Sequence, residues 1–235
     1  MSFHNELHHN KSGAALNWLR AAVLGANDGI VSVAAIVSGI AGASDSAGFI
    51  LTAGMAGLVA GALSMAVGEH ISVSAQRDTE KALLEKEKFE LEHMPDEEFN
   101  ELISLYEAKG MSSATARVVA TELTNHGAFA AHVDAELNIN PDDLTNPWQA
   151  AFASAASFLA GGVIPLIAVA FPPASLRLPV MLVAVVVALA VTGMLSGYAG
   201  GASKIKATVR MVVGGVLAMV ITFGVGKIIG VIGGV

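Results

Sequence analysis

The sequence has no cysteine. That excludes disulfides, thiolate zinc sites and cysteine-ligated iron–sulfur clusters. Charge is scarce as well: 14% of the 235 residues are Asp, Glu, Lys or Arg, against about 25% in an ordinary soluble domain. Basic residues are the scarcer kind, 13 against 20 acidic, for a net charge of −7 and a pI near 5.4. A basic nucleic-acid binder is therefore not expected. What remains is apolar. Hydrophobic residues make up 54% of the chain and the mean hydropathy is +0.62, which excludes disordered and collagen-like classes and points to a membrane protein.

The averages conceal a split. Residues 76–146 carry 6 Lys/Arg and 16 Asp/Glu, while the other 164 residues carry 7 and 4. An acidic, water-facing insert thus separates two apolar blocks, and the expected domains are 1–75, 76–146 and 147–235. A bilayer core needs roughly 20 apolar residues per helix. Five stretches qualify: 19–43, 48–75, 148–171, 176–200 and 205–231. The first is too long and too weakly basic at its start for a signal peptide. Short breaks at 44–46, 171–173 and 203–204 favour antiparallel hairpins. With a cytosolic N-terminus, 11 of the 13 basic residues fall inside and only Arg177 and Lys227 outside, so the insert is expected in the cytosol.

Small residues recur at four-residue spacing: Gly57/Gly61, Gly193/Gly197/Gly201 and Gly226/Gly230/Gly234. They let helix backbones approach closely. Ordinary transmembrane packing explains them, and so does a conduit or a dimer seam. The insert reads as helices. Residues 74–93 continue the second span, Pro95 ends that run, and 96–109 follows until Gly110. Segments 112–125 and 128–138 come next, with 140–143 as the linker back. Leu102, Leu105 and Tyr106 at helical spacing predict a small bundle.

Asp28 lies about nine residues into the first span, about 13 Å deep at 1.5 Å per residue. A carboxylate at that depth costs several kcal/mol unless paired, hydrated or metal-bound. Asn27 beside it and Gly25 and Gly29 around it keep polar groups and backbone accessible. A substrate or proton site is one reading, and a structural carboxylate bonded to a neighbouring helix is the other. Counting back about nine residues from the cytosolic end of the second span reaches Met65, with Glu69 one turn nearer the cytosol on the same face. Asp28, Met65 and Glu69 can line one path. Carboxylates with a thioether suit a borderline transition-metal cation better than Mg²⁺ or Ca²⁺, although a methionine in an apolar helix is usually packing.

Around Pro95 the insert offers Glu87-x-x-Glu90 and Glu98-x-x-Glu101. The i, i+3 spacing puts each pair on one helix face. Two such pairs on adjacent antiparallel helices would make an oxygen-rich metal site that Glu136 closes; a solvated acidic face is the alternative. Glu90-x-x-His93 matches half of a di-iron carboxylate motif, but the insert has no second copy. His8 and His9 read as an incidental surface cluster.

Taken together, Leu24-Gly25-Ala26-Asn27-Asp28-Gly29-Ile30, the run Gly61 to Glu69 (GALSMAVGE), Gln76-Arg77-Asp78-Thr79-Glu80 and Gly161-Gly162-Val163-Ile164-Pro165-Leu166 resemble the vacuolar iron transporter family, over most of the chain from Trp18 to Gly230. The resemblance implies a dimer with five transmembrane helices per subunit. It implies movement of Fe²⁺, and often Mn²⁺, out of the cytosol in exchange for protons, with metal gathered on glutamates of a cytosolic helical domain. By position Asp28 and Met65 match the membrane aspartate and methionine of that family. Glu87, Glu90, Glu98, Glu101 and Glu136 match its cytosolic glutamates by spacing, with Glu85, Glu92 and Glu97 close in register. The chain departs from the plant-type pattern at Ala21, Gly57 and Glu69, and at His132 and Val133, where methionines are expected. As a whole it looks like the family's bacterial branch.

The expected protein is therefore an all-α, multi-pass membrane transporter, not an enzyme, with five spans and a cytosolic helical metal-binding domain between the second and third. Its substrates are Fe²⁺ and/or Mn²⁺ and its counter-ion is the proton. No resident cofactor is expected, and its partners are membrane lipid and a second copy of itself. In a bacterium it would occupy the inner membrane. Two rivals remain at this point: a membrane-anchored metal sensor or buffer, and a membrane ferroxidase.

Overall fold

A computed structural model describes residues 13–142 and 144–233. His8, His9 and Lys11 lie outside the described residues. Among those described, the chain is helical with no strand. In order come α1 (Gly13–Ala43), α2 (Ala47–His93), α3 (Pro95–Ala108), α4 (Ser113–His132), a five-residue π-helical segment (Val133–Leu137), α5 (Pro147–Ala170), α6 (Arg177–Ala199) and α7 (Lys204–Gly233). Five of these helices are long and apolar enough to cross a membrane: α1 from Ala22, α2, α5, α6 and α7. The breaks expected at 44–46, 171–173 and 203–204 separate α1 from α2, α5 from α6 and α6 from α7.

The chain divides into two compact units. One comprises the stretch up to His70 together with Pro147 onward; the other is Ile71–Asn146. In the first, α1 is central and packs against α5, α7 and α6. Its residues Ile30, Val33, Ala34 and Val37 are fully buried, and their i, i+3, i+4, i+7 spacing marks one helix face. Against them lie Leu58 of α2, Phe158, Leu166 and Val169 of α5, Met181, Val185 and Leu189 of α6, and Met219 of α7.

Helix contact in this unit depends on glycine. A Cβ on Gly29 would fall on the Phe158 carbonyl oxygen and within 2.9 Å of the Gly162 nitrogen, and one on Gly226 would fall on the Gly39 carbonyl. The backbones themselves meet, as small-residue membrane interfaces require. The outward positions are apolar too: Val183, Val187, Val191 and Leu195 of α6 and Val213, Leu217, Val220 and Ile221 of α7 are exposed. In water such a belt would be an aggregation surface. An integral membrane protein carries such a belt along its bilayer-crossing helices.

The second unit has its own core. Leu102 and Ile103 of α3 pack with Ala116 and Ala120 of α4 and Ala131, flanked by Phe99, Tyr106, Leu123 and Ala135. Pro95 opens α3 at its first turn, where the missing N–H costs nothing. Gly110 takes φ +96 between α3 and α4, a conformation that favours glycine. Ser112 then caps α4, its hydroxyl accepting from the Thr115 N–H at 3.3 Å. Residues expected as two helices, 112–125 and 128–138, form α4 with a kink at Gly127, followed by the π-helical turn.

Candidate functional site

The insert brings three side chains from separate elements to one point. Glu87 stands on the later part of α2, Glu98 in the first turns of α3, and His132 at the end of α4. Each offers a ligand atom, and the three atoms lie within 4.8 Å of one another. His132 Nδ1 is 3.0 Å from Glu87 Oε1 and 3.4 Å from Glu98 Oε2. The side chains are buried, with residue exposures of 2%, 4% and 1% for Glu87, Glu98 and His132.

Proximity has not produced hydrogen bonds. Glu87 Oε1, Glu98 Oε2 and His132 Nδ1 are all buried without a hydrogen-bond partner, although the N···O distances alone would qualify as ion-pair contacts. The angles decide the matter: an N–H that does not point at the oxygen gains little from being 3.0 Å away. Buried polar atoms are nearly always satisfied. Three that are not, and that face one another, have the arrangement of ligands around a shared cation.

The electrostatics agree with the geometry. Burial pushes the Glu87 carboxyl up to about 7, and the Glu136 and Glu98 carboxylates add to the rise. Burial also raises Glu98, with Glu101, Glu90 and Glu136 contributing. It lowers His132, partly offset by Glu136 and Glu101. Each shift disfavours the charged form because water has been removed. Lys86 is held 2.8 Å from Glu90 and is itself largely exposed; its charge opposes the rise of Glu98 without outweighing burial.

Of the glutamates expected here, Glu87 and Glu98 are central. Glu90 is partly buried, and Glu101 and Glu136 are exposed, all within electrostatic reach. Glu85, Glu92 and Glu97 are exposed. His93, half of the di-iron pattern, is turned away: its Nδ1 lies 2.8 Å from the Phe89 carbonyl oxygen and its ring stacks on Phe89. In the sequence His132 stands out only as a departure from a family pattern. Its spacing does not mark it, because the five residues after it form a π-helical turn and Glu136, four residues on, is exposed.

The membrane carboxylate is less enclosed. Asp28 and Asn27 are half-buried on α1, and Asn27 Oδ1 is buried without a partner. The flanking glycines face α5, Gly25 at Ser154 and Gly29 at Phe158. On α2, Gly57 packs on Ile36 of α1. Eight residues further along each antiparallel helix lie Asp28 and Met65, hence at one level of the hairpin. Met65 is partly buried against the core, and Glu69, also half-buried, follows one turn later. Among the described residues Asp28 and Glu69 belong to no cluster of three potential metal-ligating side chains.

Residues 19–227 match the model of the VIT family. A vacuolar iron transporter of Acanthamoeba castellanii is 44% identical over 222 residues, covering 94% of this chain and 82% of that protein. Vacuolar iron transporter homolog 1 of Oryza sativa subsp. japonica is 38% identical, covering 94% and 77%. Vacuolar iron transporter homolog 2 of Arabidopsis thaliana is 36% identical, covering 92% and 86%.

Proposed function

This chain belongs to the VIT family, and from that premise we propose that it exports Fe²⁺ and/or Mn²⁺ from the cytosol in exchange for protons. The observation that carries the reading is the convergence of Glu87, Glu98 and His132, each buried with one polar atom unsatisfied, in a chain whose other unit has the composition of a bilayer-spanning bundle. In this reading the insert, residues 76–146, is cytosolic. Its acidity raises the local cation concentration, and Glu87, Glu90, Glu98, Glu101 and Glu136 gather the metal. Cargo then passes to Glu69, Met65 and Asp28, with Asn27 supplying a neutral oxygen. Protons arriving from the far side displace it, because proton and metal compete for the same carboxylate lone pairs. The working unit is a homodimer.

The test is metal flux into proteoliposomes with Fe²⁺, Mn²⁺, Zn²⁺ and Ca²⁺ under an imposed pH gradient. Uptake of Fe²⁺ or Mn²⁺ with opposite proton movement is expected, and none of Ca²⁺. Metal binding without flux would replace transport by a membrane-anchored sensor, and oxygen consumption with Fe²⁺ would indicate a ferroxidase. Glu69 is the proposed proton carrier. Glu69→Gln should flatten the dependence of flux on cytosolic-side pH, whereas Glu69→Asp should keep that dependence at a lower rate. An unchanged profile and unchanged proton movement in Glu69→Gln would leave Asp28 as the coupling group.

A further inference from the structure

We propose that His132 is the specificity-determining ligand of the insert's metal centre, turning a carboxylate pair into a mixed nitrogen–oxygen site that ranks first-row cations before they reach the membrane helices. The inference rests on the insert being the capture site. His132 is 1% exposed, and its Nδ1 lies 3.0 Å from one buried carboxylate and 3.4 Å from the other. It is unsatisfied, so its role is not to anchor either carboxylate by a hydrogen bond. An imidazole that fails to hydrogen-bond to oxygens 3.0 and 3.4 Å away is oriented to share a ligand with them.

The chemistry of the set decides which ligands it takes. Two carboxylates alone bind hard cations, and oxygen-only sites suit Ca²⁺ and Mg²⁺. One imidazole nitrogen shifts the set toward later first-row ions, whose affinity rises from Mn²⁺ through Fe²⁺ and Co²⁺, with Zn²⁺ also above Fe²⁺. The centre should therefore hold Zn²⁺ and Co²⁺ more tightly than Fe²⁺, Fe²⁺ more tightly than Mn²⁺, and Ca²⁺ and Mg²⁺ hardly at all. Glu90, Glu101 and Glu136 surround it without supplying another nitrogen.

The experiment uses the full-length protein in detergent micelles. Dissociation constants are measured for Mn²⁺, Co²⁺, Zn²⁺ and Ca²⁺, and nitrogen coupling to bound Mn²⁺ is read by pulsed electron paramagnetic resonance. The parent should bind Zn²⁺ at least about tenfold more tightly than Mn²⁺ and show imidazole nitrogen coupling. His132→Gln should abolish the coupling. His132→Glu, an all-oxygen set, should retain Mn²⁺ and compress the Zn²⁺ preference about tenfold. Absence of nitrogen coupling in the parent would overturn the proposal without any variant needing to fold. So would an unchanged Zn²⁺/Mn²⁺ ratio in His132→Glu. Failure of the transport reading is distinguishable, since it leaves this selectivity in place and abolishes flux.

Discussion

The two units of this chain solve opposite problems with the same secondary structure. The membrane helices approach each other through backbone: Gly29, Gly161 and Gly226 sit where any side chain would strike a facing carbonyl. The insert approaches through side chains, with Leu102 and Ile103 lodged over Ala116 and Ala120. Where hydrocarbon surrounds the helices, burying apolar groups gains nothing over leaving them in lipid, so fit and close contact dominate. Where water surrounds them, apolar burial drives packing. Polar residues follow the same division. A single half-buried aspartate stands out on α1, whereas in the insert charge is common and only its burial is informative.

The sharpest test of that contrast is Asp28→Asn, which keeps the shape and removes the charge. It should abolish metal flux, a loss of at least about a hundredfold if a several-kcal/mol interaction with the cargo is removed, while the protein stays folded. Near-normal flux in a well-behaved Asp28→Asn protein would make the aspartate structural. Gly29→Val tests packing in the same helix. Its Cβ lands on the Phe158 carbonyl, so α1 and α5 must separate, at a cost of about 1–3 kcal/mol or more. Gly68→Val, with nothing within 4 Å of its Cβ, should change little. Thermal stability in detergent compares the two, and equal effects would deny the backbone-contact argument.

The insert should respond more mildly. Replacing Glu87, Glu90, Glu98 and Glu101 together by Gln should raise the apparent KM for metal with the maximal rate retained, since capture and not passage is removed. A KM raised by about tenfold corresponds to roughly 1.4 kcal/mol of lost binding. Flux unchanged at every metal concentration would reduce the glutamates to a solvated face.

Much of this was legible in the chain itself, for particular reasons. Spans are written in long apolar runs, and their ends in pairs such as Pro172–Pro173 that helices rarely cross. The Pro95 break and Gly110 fix α3 because each has a steric meaning at one position. The centre was half legible. Spacing put Glu87 with Glu90 and Glu98 with Glu101, but which member of each pair turns inward depends on how α3 and α4 roll against α2. His132 was hidden further, since a histidine near a helix end carries no periodic signature, and the π-helical turn after it shifts the register a sequence would assume. On α1 and α2 the common level of Asp28 and Met65 followed from residue counting alone, because an antiparallel hairpin of straight helices has few ways to differ from the count.

The finest distinction between the units concerns pH. In the insert, Glu87 is pushed up to about 7 by burial first and by Glu136 and Glu98 next, with Glu90 also acting on it and His132 Nδ1 facing it at 3.0 Å. Metal must displace that proton. Affinity at the centre should therefore fall about tenfold per pH unit below about 7 and level off above it. Stability without metal should move the other way. Between the ordinary carboxylate value of 4.5 and about 7 the folded insert holds more protons on Glu87 than the unfolded chain does, so its stability falls as pH rises through that window. Glu98, also raised, adds to the fall. His132, lowered, opposes it below its ordinary value of 6.5, because there the unfolded chain is the one that holds the extra proton; above 6.5 that opposition ends and the fall from Glu87 stands unopposed. Hydrogen exchange at the α3 amides of Leu102 and Ile103 reads this directly: protection without metal should decrease from pH 6.5 to pH 7.5, and saturating Zn²⁺ should reverse the trend. In Glu87→Gln the metal-free decline should shrink and the steep affinity profile should flatten. Metal affinity independent of pH across the same range in the parent would mean that Glu87 is already ionised in the folded insert, and that its burial is stabilised by some group other than a cation.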